Sequence, residues 1–281
     1  MASRRILITG ANAGIGYETA LGLARTGAEV IMLCRDQSRG EAARNRIRWE
    51  SGSLSVELML CDLASQSSIR KFAAEFQSRF ESLDVLINNA AVLSQTRQLT
   101  DDGIELQWAV NHLAPFLLTH LLQSRLMAAE SARVLNVSSG MHRRGKIDFD
   151  NLQGERNYHP RTIYAQTKLA NVLFTVELAK RLEETGITCN ALHPGTIATG
   201  LYQQFLGLPK MLSFVSRWYG KSPRTGAETS IYLATSEEVA GQTGLYFRNR
   251  RPAPMNPVAN DCELRSRLWE LSAEMTELAA V

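Results

Sequence analysis

No stretch of this 281-residue chain is long and apolar enough to cross a bilayer. The longest apolar run, LAPFLLTHLL (113–122), is broken by Pro115, Thr119 and His120. It falls well short of the ~20 residues that a spanning helix needs, so no integral membrane segment is expected. Arg4 and Arg5 precede a short apolar stretch, but TGANAG interrupts it at once, and no secretory leader is expected. Cysteine is scarce: Cys34, Cys61, Cys189 and Cys262 stand far apart, with no C-x2-C pair, so no metal site is expected. The first three lie at or near expected strands and read as buried free thiols of a reducing compartment. An excess of one charge is also missing. The net charge of +3 gives no bulk field to draw nucleic acid or an anionic surface. Repeats, low-complexity tracts and long linkers are absent. What remains, 44% hydrophobic and 21% charged residues, suits a single soluble globular domain over 1–281, with a cytoplasmic location expected.

The first 35 residues carry the clearest local pattern. Arg4 to Thr9 reads as a short buried strand. Gly10, Gly14 and Gly16 follow with G-x3-G-x-G spacing, then an apolar-periodic helix stopped at Gly27, then a second strand, AEVIML (28–33). Strand, glycine turn, helix and strand in this order is the context of a dinucleotide site. Glycine lets the backbone bend sharply and come close to a pyrophosphate, and the helix N-terminus offers that anion free N–H groups.

Strands and helices alternate thereafter. Strands are expected at 54–60, 83–90, 132–139, 187–195 and 244–247, and helices at 37–50, 66–80, 102–129, 162–182, 222–235 and 261–278. Repeated βαβ units predict an α/β fold: one Rossmann-type doubly wound, parallel sheet of about seven strands with helices on both faces. Ligands bind such sheets outside the carboxyl ends of the strands, where the glycine turn, NNA, SSG and HPG all fall.

Tyr164 and Lys168, in YAQTK, lie four residues apart on one face of a helix. An ammonium beside a phenol favours the phenolate, so the spacing predicts a lowered Tyr164 pKa and a proton donor or acceptor near neutrality.

Together these motifs resemble the short-chain dehydrogenase/reductase family over nearly the whole chain. The matching runs are TGANAGIG (9–16), NNAA (88–91), NVSS (136–139), YAQTK (164–168) and PGTIAT (194–199). Within it, NLQGE (151–155), HPGT (193–196) and the 25-residue interval from Ser139 to Tyr164 are similar to the retinol-dehydrogenase-like branch. The resemblance implies an NADP(H)-dependent oxidoreductase moving a hydride between nicotinamide and a carbonyl or alcohol. In it Ser139 would bond the substrate oxygen, Tyr164 would transfer the proton, and Lys168 would tune Tyr164 and hold the ribose. Asn111, in VNHLAPF, would hold a water leading from Lys168 to solvent. Ser138 is the alternative serine, but neighbours along a strand point to opposite faces, which favours Ser139 for catalysis. The implied coenzyme contacts are Gly10, Asn12, Ala13, Gly14, Ile15 and Gly16 in the turn, Asp62 and Leu63 after the third strand, Asn89 and Ala90 after the fourth, and Pro194, Gly195 and Thr199 after the sixth, besides Tyr164 and Lys168.

Coenzyme choice turns on Cys34-Arg35-Asp36. Asp36 stands near the position of an NAD-selecting acid, yet Arg35 comes first and Asp36 suits an N-cap of the following helix. Arg35 and Arg39 therefore predict a 2′-phosphate and NADP(H). The segment 201–220 is rich in Phe, Leu, Met, Trp and Tyr. With its flanks (about 196–226) it reads as an apolar lid over a lipophilic small-molecule substrate, or alternatively as packing against the sheet or a second subunit. A homodimer or homotetramer is the expected assembly. His142, Arg143, Arg144, Lys146 and Arg156, and likewise RNRRP (248–252), read as solvated basic loops, and His193 as a strand-end packing residue. Two other functions are weighed: a catalytically silent nucleotide-binding relative, and a sugar-nucleotide epimerase or dehydratase. The intact Asn111, Ser139, Tyr164, Lys168 set speaks against the first, and the shortage of chain for a substrate lobe against the second.

Overall fold

Leu7 of the first strand packs on one side of the sheet, while its neighbours Ile6 and Ile8 pack on the other. Leu86 and Val134 repeat this division against Val85, Ile87, Leu135 and Val137. A strand apolar at every position must be covered on both faces, which is why helices flank both. The computed structural model describes residues 3–195 and 222–278. Of the lid expected over about 196–226, residues 196–221, with Thr199, lie outside them, and 223–226 open a helix. Among the described residues no helix is long and apolar enough to cross a membrane.

Among the described residues eight strands form one sheet in the order β3-β2-β1-β4-β5-β6-β7-β8. They are β1 (Arg5–Thr9), β2 (Glu29–Cys34), β3 (Val56–Leu60), β4 (Val85–Asn88), β5 (Arg133–Val137), β6 (Thr188–His193), β7 (Tyr246–Arg248) and β8 (Arg251–Pro252). All neighbours are parallel except β7 and β8. The strand order reverses between β1 and β4, opening a crevice at their carboxyl ends. The eighth strand is the departure from the expected seven. RNRRP is solvated, as expected, but also turns: Asn249 (φ 51°) and Arg250 (φ 63°) close a tight hairpin.

One face carries α1 (Gly14–Ala24), α2 (Gln37–Ser51) and α8 (Pro223–Thr235). The other carries α3 (Gln66–Arg79), α5 (Ala114–Leu121), α7 (Pro160–Arg181) and α9 (Cys262–Met275). The helix expected over 102–129 is broken into α4 (Leu106–Trp108), a wide π turn (Ala109–Leu113), α5 and α6 (Gln123–Met127). Pro115 has no N–H for the carbonyl one turn earlier and crowds it, and the wider turn relieves that clash. Asn111 sits in this turn.

Candidate active site

The glycine turn is built as a cradle. Gly10 (φ 66°) and Gly14 (φ 57°) occupy the left-handed region that side chains avoid. A Cβ on Gly16 would collide with the Gly10 carbonyl oxygen and lie 2.5 Å from Asn89 Nδ2. The first turn of α1 has neither a side-chain cap nor an acidic residue. Its free N–H groups therefore point, with the positive end of the helix dipole, at the crevice. Thr9 joins this turn to the strand opposite: its Oγ1 accepts from the N–H groups of Asn89 and Ala90, both at 2.9 Å. Asn89 Nδ2 returns a bond to the Thr9 carbonyl at 2.7 Å. These features fit a dinucleotide pyrophosphate. Thr9 was not singled out from sequence; a polar residue ending an apolar strand just before the glycine turn was its only signal.

At the end of β2, Asp36 turns its carboxylate onto α2, where Oδ1 accepts from Arg39 N (2.8 Å) and Ser38 Oγ (2.9 Å). Those bonds hold its pKa below the usual carboxylate value. The side chains of Arg35 and Arg39 are exposed beside it. Asp36 is committed through Oδ1 to capping its own helix, whereas two exposed guanidinium groups suit a phosphate. Asp62 and Leu63 are half-buried after β3, and Asp62 Oδ1 accepts from Ala64 N at 3.0 Å. Pro194 and Gly195 follow β6 at the same edge.

Ser139, Tyr164 and Lys168 meet at the carboxyl end of β5. The Ser139 hydroxyl accepts from Met141 N at 3.3 Å and acts on the Tyr164 phenol as a neighbour that favours its ionised form. Lys168 Nζ stands 5.6 Å from the Tyr164 ring centre and donates to the Val137 carbonyl at 2.9 Å. Ser138 points the other way, its buried hydroxyl donating to the Lys168 carbonyl at 2.7 Å. Asn111 joins through Thr167, whose Oγ1 accepts from Asn111 Nδ2 (3.2 Å) and donates to the Tyr164 carbonyl (2.9 Å). The Asn111 amide also grips Val92, accepting from its N–H at 2.7 Å and donating to its carbonyl at 2.9 Å.

The expected lowering of the Tyr164 pKa is reversed. Burial pushes the phenol well above its ordinary value, against a smaller opposing effect of the Ser139 hydroxyl. The physical reason is that Lys168 is buried too. Burial pulls its pKa down to about 7, and its ammonium faces a backbone carbonyl rather than the phenolic oxygen. In this state the site holds a protonated phenol and an amine that titrates near neutrality.

His142 also departs from expectation. It is fully buried, not a solvated member of the basic loop. Its ring packs on Tyr246 at 4.4 Å and burial lowers its pKa, against the raising effect of the Ser139 carbonyl, which its Nδ1 meets at 2.6 Å. Nothing in the run GMHRRGK marks that side chain as the inward one. His193 Nδ1 accepts from Gly140 N at 3.2 Å and so helps set the turn that follows Ser139.

Known proteins agree with this architecture. The sequence pattern of the family described as short chain dehydrogenase matches residues 4–206. Retinol dehydrogenase 13 of Homo sapiens is 44% identical over 285 residues, covering 99% of this chain and 86% of its own. A crystal structure of an uncharacterised protein from Mycobacterium paratuberculosis superposes with a TM-score of 0.79 at 34% identity, over 99% of this chain and 94% of its own. A short chain dehydrogenase from Escherichia coli CFT073, solved in complex with NADPH, shares the fold with a TM-score of 0.73 at 23% identity, over 89% of this chain and 98% of its own. The glycine cradle, the switch-point crevice and the Ser139–Tyr164–Lys168 cluster thus stand in a chain that belongs to the short-chain dehydrogenase/reductase family of oxidoreductases, and is similar there to the retinol dehydrogenases.

Proposed function

We propose that this protein is an NADP(H)-dependent reductase of lipophilic aldehydes or ketones, also running the reverse alcohol oxidation. The grouping of Ser139, Tyr164 and a buried Lys168, whose Nζ lies 5.6 Å from the Tyr164 ring centre, carries the reading. The coenzyme would rest its pyrophosphate on the N–H groups at Gly14–Gly16, its 2′-phosphate against Arg35 and Arg39, and its nicotinamide ribose against Tyr164 and Lys168. When bound, it supplies the hydride. Ser139 donates to the substrate oxygen as negative charge grows there, and Tyr164 hands over its proton at the phenolic oxygen. A phenol that burial keeps protonated suits the reductive direction. Lys168 stabilises the phenolate left behind. The name of the human relative and the apolar segment 201–220 support a retinoid or similar lipophile as substrate.

The test follows NADPH oxidation at 340 nm with retinaldehyde, decanal and a panel of lipophilic ketones. Turnover is expected with at least one of them, and Tyr164→Phe should lower kcat by about 10²- to 10⁴-fold. A Tyr164→Phe variant as active as the parent would remove the proposed acid. For the coenzyme, Arg35→Ala with Arg39→Ala should raise KM for NADPH at least about tenfold and leave KM for NADH near its parent value. Equal use of NADH and NADPH by the parent would overturn the coenzyme assignment.

A further inference from the structure

The long connection between Ser139 and α7 makes contacts that the proposed chemistry does not use. Tyr158 Oη lies 3.1 Å from the Ser94 carbonyl in the loop after β4 and 3.1 Å from Glu105 Oε1, and accepts from Gln107 Nε2 at 2.7 Å. Gln107 Nε2 also reaches the carbonyl of Pro160, the first residue of α7, at 3.3 Å. Glu105 and Gln107 are fully buried, and Glu105 Oε2 caps α4 by accepting from Trp108 N at 2.8 Å. The Tyr158 ring is seated on Gly154, where a Cβ would come within 2.6 Å of Tyr158 Cδ2, so the hydroxyl has little freedom to move.

One oxygen therefore joins three pieces of backbone. From Trp108 the chain runs directly into the π turn that carries Asn111. The loop containing Ser94 also contains Val92, which the Asn111 amide grips. From Pro160 the next helical turn delivers Tyr164. We propose that Tyr158 is a positioning residue whose hydroxyl, acting through Gln107, sets the spacing between the Asn111 turn and the start of the Tyr164 helix. The inference rests on the roles proposed above for Asn111 and Tyr164. Reacting groups displaced by about 1 Å lose roughly a hundredfold in rate, so a joint of this kind is felt in kcat without touching substrate.

Tyr158→Phe removes only the oxygen and keeps the ring on Gly154. Gln107→Met retains the length and removes the donor to both Tyr158 Oη and the Pro160 carbonyl, the two ends of the joint; Gln107 Oε1 meets no donor among the described residues, so no bond to that oxygen is lost. The two variants and their combination are compared with the parent protein by NADPH-dependent reduction of retinaldehyde or decanal, NADPH affinity from fluorescence, and hydrogen exchange of residues 92–108 and 160–168. The expected result is a kcat lowered roughly ten- to a hundredfold, NADPH affinity within about twofold of the parent, and a double variant close to the more impaired single one, because both variants break the Tyr158–Gln107 link on which the joint depends. Exchange should rise in the two segments and stay unchanged in β7. A purely structural tyrosine would lower the unfolding midpoint with kcat per folded molecule preserved. That outcome, a kcat within about twofold of the parent, or fully multiplicative single effects would each overturn the proposal. Should the parent protein reduce neither these aldehydes nor any of the lipophilic ketones, the proposed reductase reading fails on that result, and hydrogen exchange alone decides the joint: raised exchange in both segments upholds it, unchanged exchange refutes it.

Discussion

Lys168 changes charge within the neutral range because burial holds its pKa at about 7, while Tyr164 beside it keeps its proton to far higher pH. The ammonium is the form that stabilises a phenolate on Tyr164, and it predominates below about 7. The reductive kcat/KM is therefore expected to fall as pH rises through that value, and a Lys168→Met variant should be slower and lack that limb; a pH–rate profile of both proteins checks it. Gly16 makes a different kind of prediction. Its missing side chain is what lets β1 and α1 approach, with the Gly10 carbonyl and Asn89 filling the space a Cβ needs. Gly16→Ala should weaken NADPH binding at least about tenfold, read by titration of coenzyme fluorescence, because the N–H groups of the turn are pushed off their aim.

Among the elements, α7 is the most demanding, because it is buried on almost every side along its 22 residues. Its outer end is fastened by charge. Glu177 accepts from Arg265 of α9 at 3.2 Å and from Arg181 at 3.0 Å, while the Arg181 guanidinium lies over the Trp269 ring at 4.3 Å. Glu177 and Arg265 are both about 6% exposed, so removing the carboxylate strands a buried cation. Glu177→Ala should cost about 3–5 kcal/mol and lower the thermal unfolding midpoint by roughly 10 °C in calorimetry. Arg133 does comparable work on the other face, where Nη1 donates to the Leu233 and Ser236 carbonyls at 2.8 Å each and so caps the C-terminal end of α8.

For the molecule as a whole, acid stability is set by histidines folded into the core. Burial lowers His112 from 6.5 to about 4, and lowers His120 and His142 as well. A folded-state pKa below the unfolded one contributes stability that is present above about 6.5 and is lost as pH falls toward 4. The unfolding free energy from urea titrations should therefore drop steeply across that window, by on the order of 3 kcal/mol for His112 alone, and His112→Gln should flatten the slope. At this scale the sequence was most legible. Apolar strands, glycine spacing and helix periodicity are local properties, and they determined the parallel sheet, the crevice at its carboxyl ends and which short runs line it. The N-cap role of Asp36 was also readable, since a cap involves only the next three residues. Local pattern does not report who is buried beside whom. Tertiary structure alone decided that Lys168 would be as buried as Tyr164, so that desolvation and not the ammonium sets the raised pKa of the phenol, that His142 would turn inward beneath Ser139, that Pro115 would widen the turn holding Asn111, and that Tyr158 would meet Gln107 across some fifty residues of chain. Each depends on desolvation or on contacts between distant segments, and such energies exist only once the chain has closed around them.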